Sequence, residues 1–121
     1  MPQGLVPSFV CQPDNNDLES DSIEAWGLDA SKQLAAGQIV TAPVVKVYDV
    51  SNGNADVTAT MVVGSPTVGP NDAGVANTTV IVVLQAAVAG HNYDVVAHYV
   101  PSPPNPAQEL LPLVSHMHCL R

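Results

Sequence analysis

The sequence predicts an all-β domain, a sandwich of about six or seven short strands. Val and Thr are abundant, and charged residues make up only 12% of the 121-residue chain. That is too few for the charged faces that surface helices need. Val45 and Val47 alternate with Lys46 and Tyr48, which is the period of a half-buried strand. Turn-forming residues, among them 8 Gly and 11 Pro, separate the apolar runs.

Each predicted element rests on a local signal. Asn52-Gly53 between two alternating runs predicts a hairpin turn, and Pro43 predicts a bulge in the strand before it. The continuous apolar run at 79–84 predicts a central strand. Loops are expected at 64–77 and at 101–106, where prolines cannot join a ladder. The strands themselves are predicted over residues 23–28, 38–50, 56–63, 78–84, 93–100 and 110–120.

The length indicates one domain, which we divide into an N-terminal arm, residues 1–22, and a sandwich, residues 23–121. Three prolines forbid a regular helix in the arm. The arm packs either on a neighbouring subunit or back on its own domain, and the sequence leaves both open. Candidate contact residues in the arm and in the Pro-rich loop are Leu5, Val6, Phe9, Val10, Pro103 and Pro104.

The charge balance excludes some partners. The net charge is -8, and the only fixed cations are Lys32, Lys46 and Arg121. Binding to a phosphate backbone or to an anionic membrane surface needs clustered cations, so neither nucleic acid nor membrane is expected. The acidic residues between 14 and 29 predict a solvated edge, with a docking surface for a basic partner or a calcium site as the alternatives. No EF-hand spacing occurs there.

The sequence shows neither a basic signal-peptide start nor an apolar run of about 20 residues, so a chain made in the cytosol is expected. Two thiols at Cys11 and Cys119 are then favoured over a bridge, although the pairing stays open. His116 and His118 share one strand face beside Cys119, and an edge position is favoured over a metal site. We therefore predict no metal and no cofactor.

No catalytic apparatus is predicted. The sequence contains no G-x-S-x-G elbow and no P-loop. Its acidic residues crowd one surface-like stretch rather than the enclosed cleft that paired catalytic carboxylates need. We therefore expect a protein that is not an enzyme.

One segment resembles the E–F corner of immunoglobulin-like and fibronectin-like domains. Leu84 ends a strand, Gly90 turns the chain, and Tyr93 and Val95 begin the next strand. The resemblance implies an immunoglobulin-like sandwich in which the Tyr93 hydroxyl bonds back to the corner backbone.

The order of motifs over residues 23–100 resembles small structural proteins of tailed bacteriophages, of the fibre–tail adaptor or neck type. The motifs are Leu-Ala-Ala-Gly at 34–37, Ile39, a Thr-rich run at 57–63, a Thr-Val strand at 79–84 and Ala-Gly-x-x-Tyr at 89–93. The arm lies outside this pattern, and the Pro-rich loop departs from it.

The resemblance implies a virion structural protein, assembled in the host cytoplasm as a multi-copy homo-oligomer at the neck, tail or fibre attachment. Its partners would be portal, neck, tail, fibre or capsid subunits. A capsid decoration protein is the first alternative, and a bacterial immunoglobulin-like adhesion or ligand-binding module is the second.

Overall fold

A computed structural model describes residues 16–20, 22–108 and 110–120 of the chain. These residues form two β-sheets that pack against each other, so the predicted all-β sandwich is confirmed. The strands are β1 (Asn16–Leu18), β2 (Glu24–Asp29), β3 (Ile39–Asp49), β4 (Ala55–Asp56), β5 (Thr67–Gly69), β6 (Thr79–Leu84), β7 (Asn92–Ser102) and β8 (Leu113–Cys119).

The larger sheet has the strand order β1-β8-β7-β3-β4, and the smaller has the order β2-β6-β5. Among the strands of the described residues, β1 and β8 pair in parallel and the other neighbouring strands are antiparallel. β6 lies between β2 and β5, which confirms its prediction as a central strand. Its apolar run is buried almost throughout. One face of β6 packs on the larger sheet, and β2 and β5 flank it on both sides.

The core lies between the sheets and draws on both. Val47 and Val95 of the larger sheet are fully buried, as are Val80 and Val82 of the smaller. Alternation along β3, β7 and β8 directs every second side chain inward. Truncating one such side chain to Ala costs about 2–4 kcal/mol, because the cavity adds to the lost burial.

Pro43 lies at a bulge in β3, as predicted. The pairing between β3 and β7 shifts register between Thr41 and Val44. Ala42 adopts a left-handed conformation with φ of 48°, which costs a residue with a Cβ about 1–3 kcal/mol. The bulge bends β3 where Pro43 could not donate a ladder hydrogen bond.

The return strand predicted at 56–63 is wrong. After a 3-10 turn at Val50–Asn52, β4 has only two residues, and the chain then forms one helical turn, α1 (Thr58–Met61). The Asp56 carboxylate accepts hydrogen bonds from the backbone N–H and the hydroxyl of Thr58, which turns the chain away from the ladder. Val62 then bridges to β6 in the other sheet.

Two further predictions need correction. The segment 64–77 is not loop throughout, because Thr67–Gly69 form β5 and pair with β6. Likewise, Pro101 does join a ladder, opposite Val40 in β3. The backbone N–H of Val40 points away from β7 and donates to the Asn77 carbonyl. Val40 and Pro101 are therefore neighbours that do not hydrogen-bond to each other, and the N–H that proline lacks is not needed at this position.

The last part of the predicted arm belongs to the larger sheet. Asn16–Leu18 form β1, and the Leu18 side chain is buried in the core. The sandwich therefore contains residues on both sides of the boundary predicted between 22 and 23. The candidate contact residues of the arm lie outside the described residues: Leu5, Val6, Phe9 and Val10.

Candidate functional site

The predicted tyrosine corner closes one end of the sandwich. Leu84 ends β6 and is buried, Gly90 turns the chain with a φ of 84°, and Tyr93 enters β7 with only 2% of its surface exposed. The Tyr93 hydroxyl oxygen accepts a hydrogen bond from the backbone N–H of Val88 at 2.7 Å. Burial raises the pKa of Tyr93 above its ordinary value of 10.0, so the phenol stays protonated. The structure thus brings the three predicted corner residues together.

An acid–histidine pair, formed by a buried Asp49 and a partly exposed His91, lies beside this corner. Asp49 is 4% exposed, faces Tyr93 across the β3–β7 ladder, and places Oδ2 2.8 Å from Nδ1 of His91. Its Oδ1 has no hydrogen-bond partner among the described residues. Because a carboxylate only accepts, Nδ1 of His91 is the donor. His91 is next in sequence to the corner strand that carries Asp94, yet its partner comes from β3.

The backbone of the same corner is tied to β8. Gly90 donates to the Cys119 carbonyl at 2.8 Å, and Cys119 donates to the His91 carbonyl at 2.9 Å. Cys119 itself is fully buried, whereas Cys11 lies outside the described residues, so their pairing stays open. The corner therefore joins β3, β7 and β8 at one end of the molecule.

His116 and His118 lie on the outer face of the larger sheet, as their spacing predicts. Each ring is engaged by a residue directly across the β7–β8 ladder. His116 Nδ1 lies 2.6 Å from an oxygen of Asp94, and His118 Nδ1 lies 2.7 Å from the side-chain oxygen of Asn92. Cys119 points to the opposite, buried face. Within the part of the chain that the structure describes, no three His, Cys, Asp or Glu side chains are grouped to hold a metal.

The Pro-rich loop is exposed but held by hydrogen bonds. Pro103 and Pro104 are both exposed. The Gln38 side chain donates to the Pro103 carbonyl at 2.9 Å, and the Gln108 side chain donates to the Gln33 carbonyl at 2.7 Å. Because the residues at 103–107 are exposed and bury little apolar surface, these hydrogen bonds are the interactions that order the loop.

Three glutamines thus connect this loop to residues 30–38. The Gln33 side chain donates to the Leu111 carbonyl at 2.9 Å and accepts from the Tyr99 hydroxyl at 2.7 Å, while Gln38 and Gln108 bond to each other. Sequence reasoning missed all three. The residues that these side chains join across the network are 65 to 78 positions apart in the sequence. No local sequence pattern therefore indicates the network.

An uncharged groove opens beside β3, at the edge opposite β1. It has a volume of about 350 Å³ and lies between the β3 bulge and the chain that follows α1. β4 pairs with β3 only at Tyr48 and Asp49, so in the described chain no strand covers residues 43–45 on this side. The main lining residues are Pro43, Val44, Val45, Ala59, Val62 and Pro66.

Comparison with protein-family models, with curated proteins and with solved structures finds no match to this chain. The resemblance to phage structural proteins therefore stays a prediction. None of the helices in the described residues has the length and apolar character needed to span a bilayer.

Proposed function

We propose that this chain is a structural component of a tailed-bacteriophage particle. It would be present in several copies as an adaptor at the neck, tail or fibre attachment, and it would reach the virion from the host cytoplasm. Its partners would be portal, neck, tail, fibre or capsid subunits, contacted through protein surfaces.

The observation that carries this proposal is the exposed Pro-rich loop between β7 and β8, which begins at Pro103 and Pro104 and is held in place by hydrogen bonds. Its carbonyls are fixed by glutamine side chains, and the residues around the tip are exposed. A rigid surface loses little conformational entropy when it docks, so more of the interaction energy of a small contact area remains as binding free energy. Leu111 of the same loop is 63% exposed and supplies apolar surface for such a contact.

The chain's charge supports the same proposal. With a net charge of -8 and three fixed cations, the domain is suited to contacts with proteins rather than with packaged nucleic acid. Many weak contacts repeated around a symmetric ring add up to a stable attachment, because each bound copy raises the effective concentration of the next contact.

One observation favours the decoration alternative. β1 covers β8 only at Met117–Cys119, so within the described chain Leu113–His116 have an open edge. A strand from a capsid subunit could add there by backbone hydrogen bonding. A decoration protein stitched to the capsid lattice would use such an edge.

Quantitative mass spectrometry of purified virus particles from the source culture tests the proposal. An adaptor predicts peptides of this chain at a small, ring-sized molar fraction of the major capsid protein. A molar amount close to that of the capsid protein would replace the adaptor with the decoration alternative. Absence from the particles would overturn both.

A further inference from the structure

Two histidines lie side by side on the outer face of β8. His116 and His118 are two positions apart in the strand, so their side chains leave the same face of the sheet, roughly 7 Å apart along the strand. Both are exposed, whereas Cys119 is buried on the opposite face. A ligand that reaches this face therefore meets the two imidazole rings but not the thiol of Cys119.

Hydrogen bonds across the β7–β8 ladder determine which ring nitrogen is available. Nδ1 of His116 lies 2.6 Å from Oδ1 of Asp94, and Nδ1 of His118 lies 2.7 Å from Oδ1 of Asn92. Carboxylate and amide oxygens accept hydrogen bonds, so both Nδ1 atoms carry the hydrogen. In the neutral rings the free lone pair is therefore on Nε2 of each histidine.

Metal-binding histidines have this same arrangement. A histidine that ligates a metal with one ring nitrogen commonly donates its other N–H to a carboxylate, a carbonyl or water, which fixes the ring orientation and raises the basicity of the ligand. Asp94 supplies a carboxylate to one ring, and Asn92 supplies an amide carbonyl to the other. The sequence alone favours an edge position for these histidines, because it does not show that Nδ1 is engaged in both rings.

The charges on this face of the sheet favour a cation. Asp17 of β1 is exposed and lies directly opposite His118, so its carboxylate is on the same face. Lys46 of β3 is two strands away from β8 and lies 4.0 Å from the carboxylate of Asp56. The net charge of -8 also attracts cations to the molecule.

We propose that Nε2 of His116 and Nε2 of His118 together bind a divalent transition-metal ion such as Zn²⁺. Imidazole nitrogen suits Zn²⁺, Cu²⁺ and Ni²⁺, whereas Mg²⁺ and Ca²⁺ take oxygen ligands. The described residues contain no group of three such ligands, so water completes the coordination in the isolated chain. The site is therefore open and exchangeable, unlike a closed structural zinc site with four protein ligands.

Isothermal titration calorimetry of the full-length chain with ZnCl2 tests the inference, whatever the place of the chain in a particle. All chains carry Cys11→Ser, so that the arm thiol cannot act as a ligand. We expect saturable binding of Zn²⁺. His116→Asn and His118→Asn should each weaken it at least about tenfold, because the second imidazole acts at the high effective concentration that one strand provides. Absence of saturable binding, or full affinity in either variant, would overturn the inference.

The matched control is His98→Asn, which removes another exposed histidine from the outer face of the same sheet. His98 lies in β7, opposite Val44 of β3. The inference predicts that this variant binds Zn²⁺ as tightly as the parent chain. An equal loss of affinity in His98→Asn and His118→Asn would indicate dispersed binding to surface histidines and would overturn the inference.

A second pair of variants tests the positioning role of Asp94. Asp94→Ala should weaken Zn²⁺ binding by about tenfold, because the ring of His116 loses the acceptor that holds Nδ1. Asp94→Asn retains an oxygen that can accept from Nδ1 and should recover most of that loss. Equal affinity of Asp94→Ala and the parent chain would contradict the claim that the hydrogen bonds across the ladder prepare the two histidines for a metal.

Discussion

The corner that contains Tyr93 and the Pro-rich loop that contains Pro103 are stabilised by different kinds of interaction. The corner is fixed by burial: Tyr93 and Asp49 are almost inaccessible, and their partners Val88 and His91 lie within the same turn. The loop is fixed by exposed or half-buried amide side chains from distant parts of the chain. The corner should therefore control global stability, whereas the loop's bonds should control local order.

The largest expected effect is at Tyr93. Tyr93→Ala should lower the free energy of unfolding by about 3–5 kcal/mol, because it removes a buried aromatic ring and leaves a cavity. Tyr93→Phe retains the ring and should cost about 1–2 kcal/mol, since the N–H of Val88 loses its acceptor. Urea unfolding of both variants measures the difference. Equal losses would show that the hydroxyl, not the ring, holds the corner.

The Asp49–His91 pair gives the next effect. His91→Ala should cost about 2 kcal/mol, because the Asp49 carboxylate stays buried without its donor. Asp49→Asn in the same chain should recover part of that loss, since the uncompensated charge is gone. A double-mutant cycle on the free energy of unfolding measures the coupling. Additive losses would refute a direct interaction between the two side chains.

Gln33→Ala should separate local order from global stability. The change removes the bonds to Leu111 and Tyr99, yet it should cost less than about 1 kcal/mol because the network is partly solvated. Hydrogen exchange should rise selectively in residues 105–111. Gln85→Ala, which removes one long bond of 3.4 Å, is the control. A rise in hydrogen exchange over the whole sandwich would contradict the claim that the loop's bonds control local order only.

The smallest effect concerns pH. Burial, and then the Glu19 carboxylate, raise the pKa of Glu24 above its ordinary value of 4.5. The folded state therefore holds this proton more tightly than the unfolded state, and stability falls as pH rises from the ordinary value through the raised one. Glu24→Gln should slightly raise the Tm at neutral pH.

Below the ordinary pKa of Glu24 the carboxyl is protonated in both states, so Glu24→Gln and the parent chain should melt together. Glu19→Gln serves as the companion variant, since it should move the pKa of Glu24 back toward its ordinary value. A Tm gain for Glu24→Gln that persists at acidic pH would argue against ionisation as its cause.

Features with a local physical cause were predictable. The corner needs an apolar strand end, a residue that tolerates positive φ, and a tyrosine in fixed order, and the sequence contains Leu84, Gly90 and Tyr93 in that order. The bulge follows from Pro43, which has no N–H. The central position of β6 follows from an apolar run that only burial on both faces can accommodate.

Features set by distant partners were not predictable. The run at 56–63 alternates like a strand, but the Asp56–Thr58 bonds and the burial of Met61 send it across to the other sheet. His91 precedes a strand that carries Asp94, yet it pairs with Asp49 of β3. Such choices depend on which strands become neighbours, and the sequence pattern does not contain that information.

Labelling of intact virus particles tests the central claim most directly. A short epitope inserted between Gly53 and Asn54 would lie in the exposed turn that follows β3, at the end of this strand away from the Pro-rich loop. Gold-conjugated antibody would report its position by electron microscopy. The adaptor proposal predicts label confined to the neck, the tail or the fibre attachment. An even coat of label over the capsid, or particles that contain none of this chain, would contradict it.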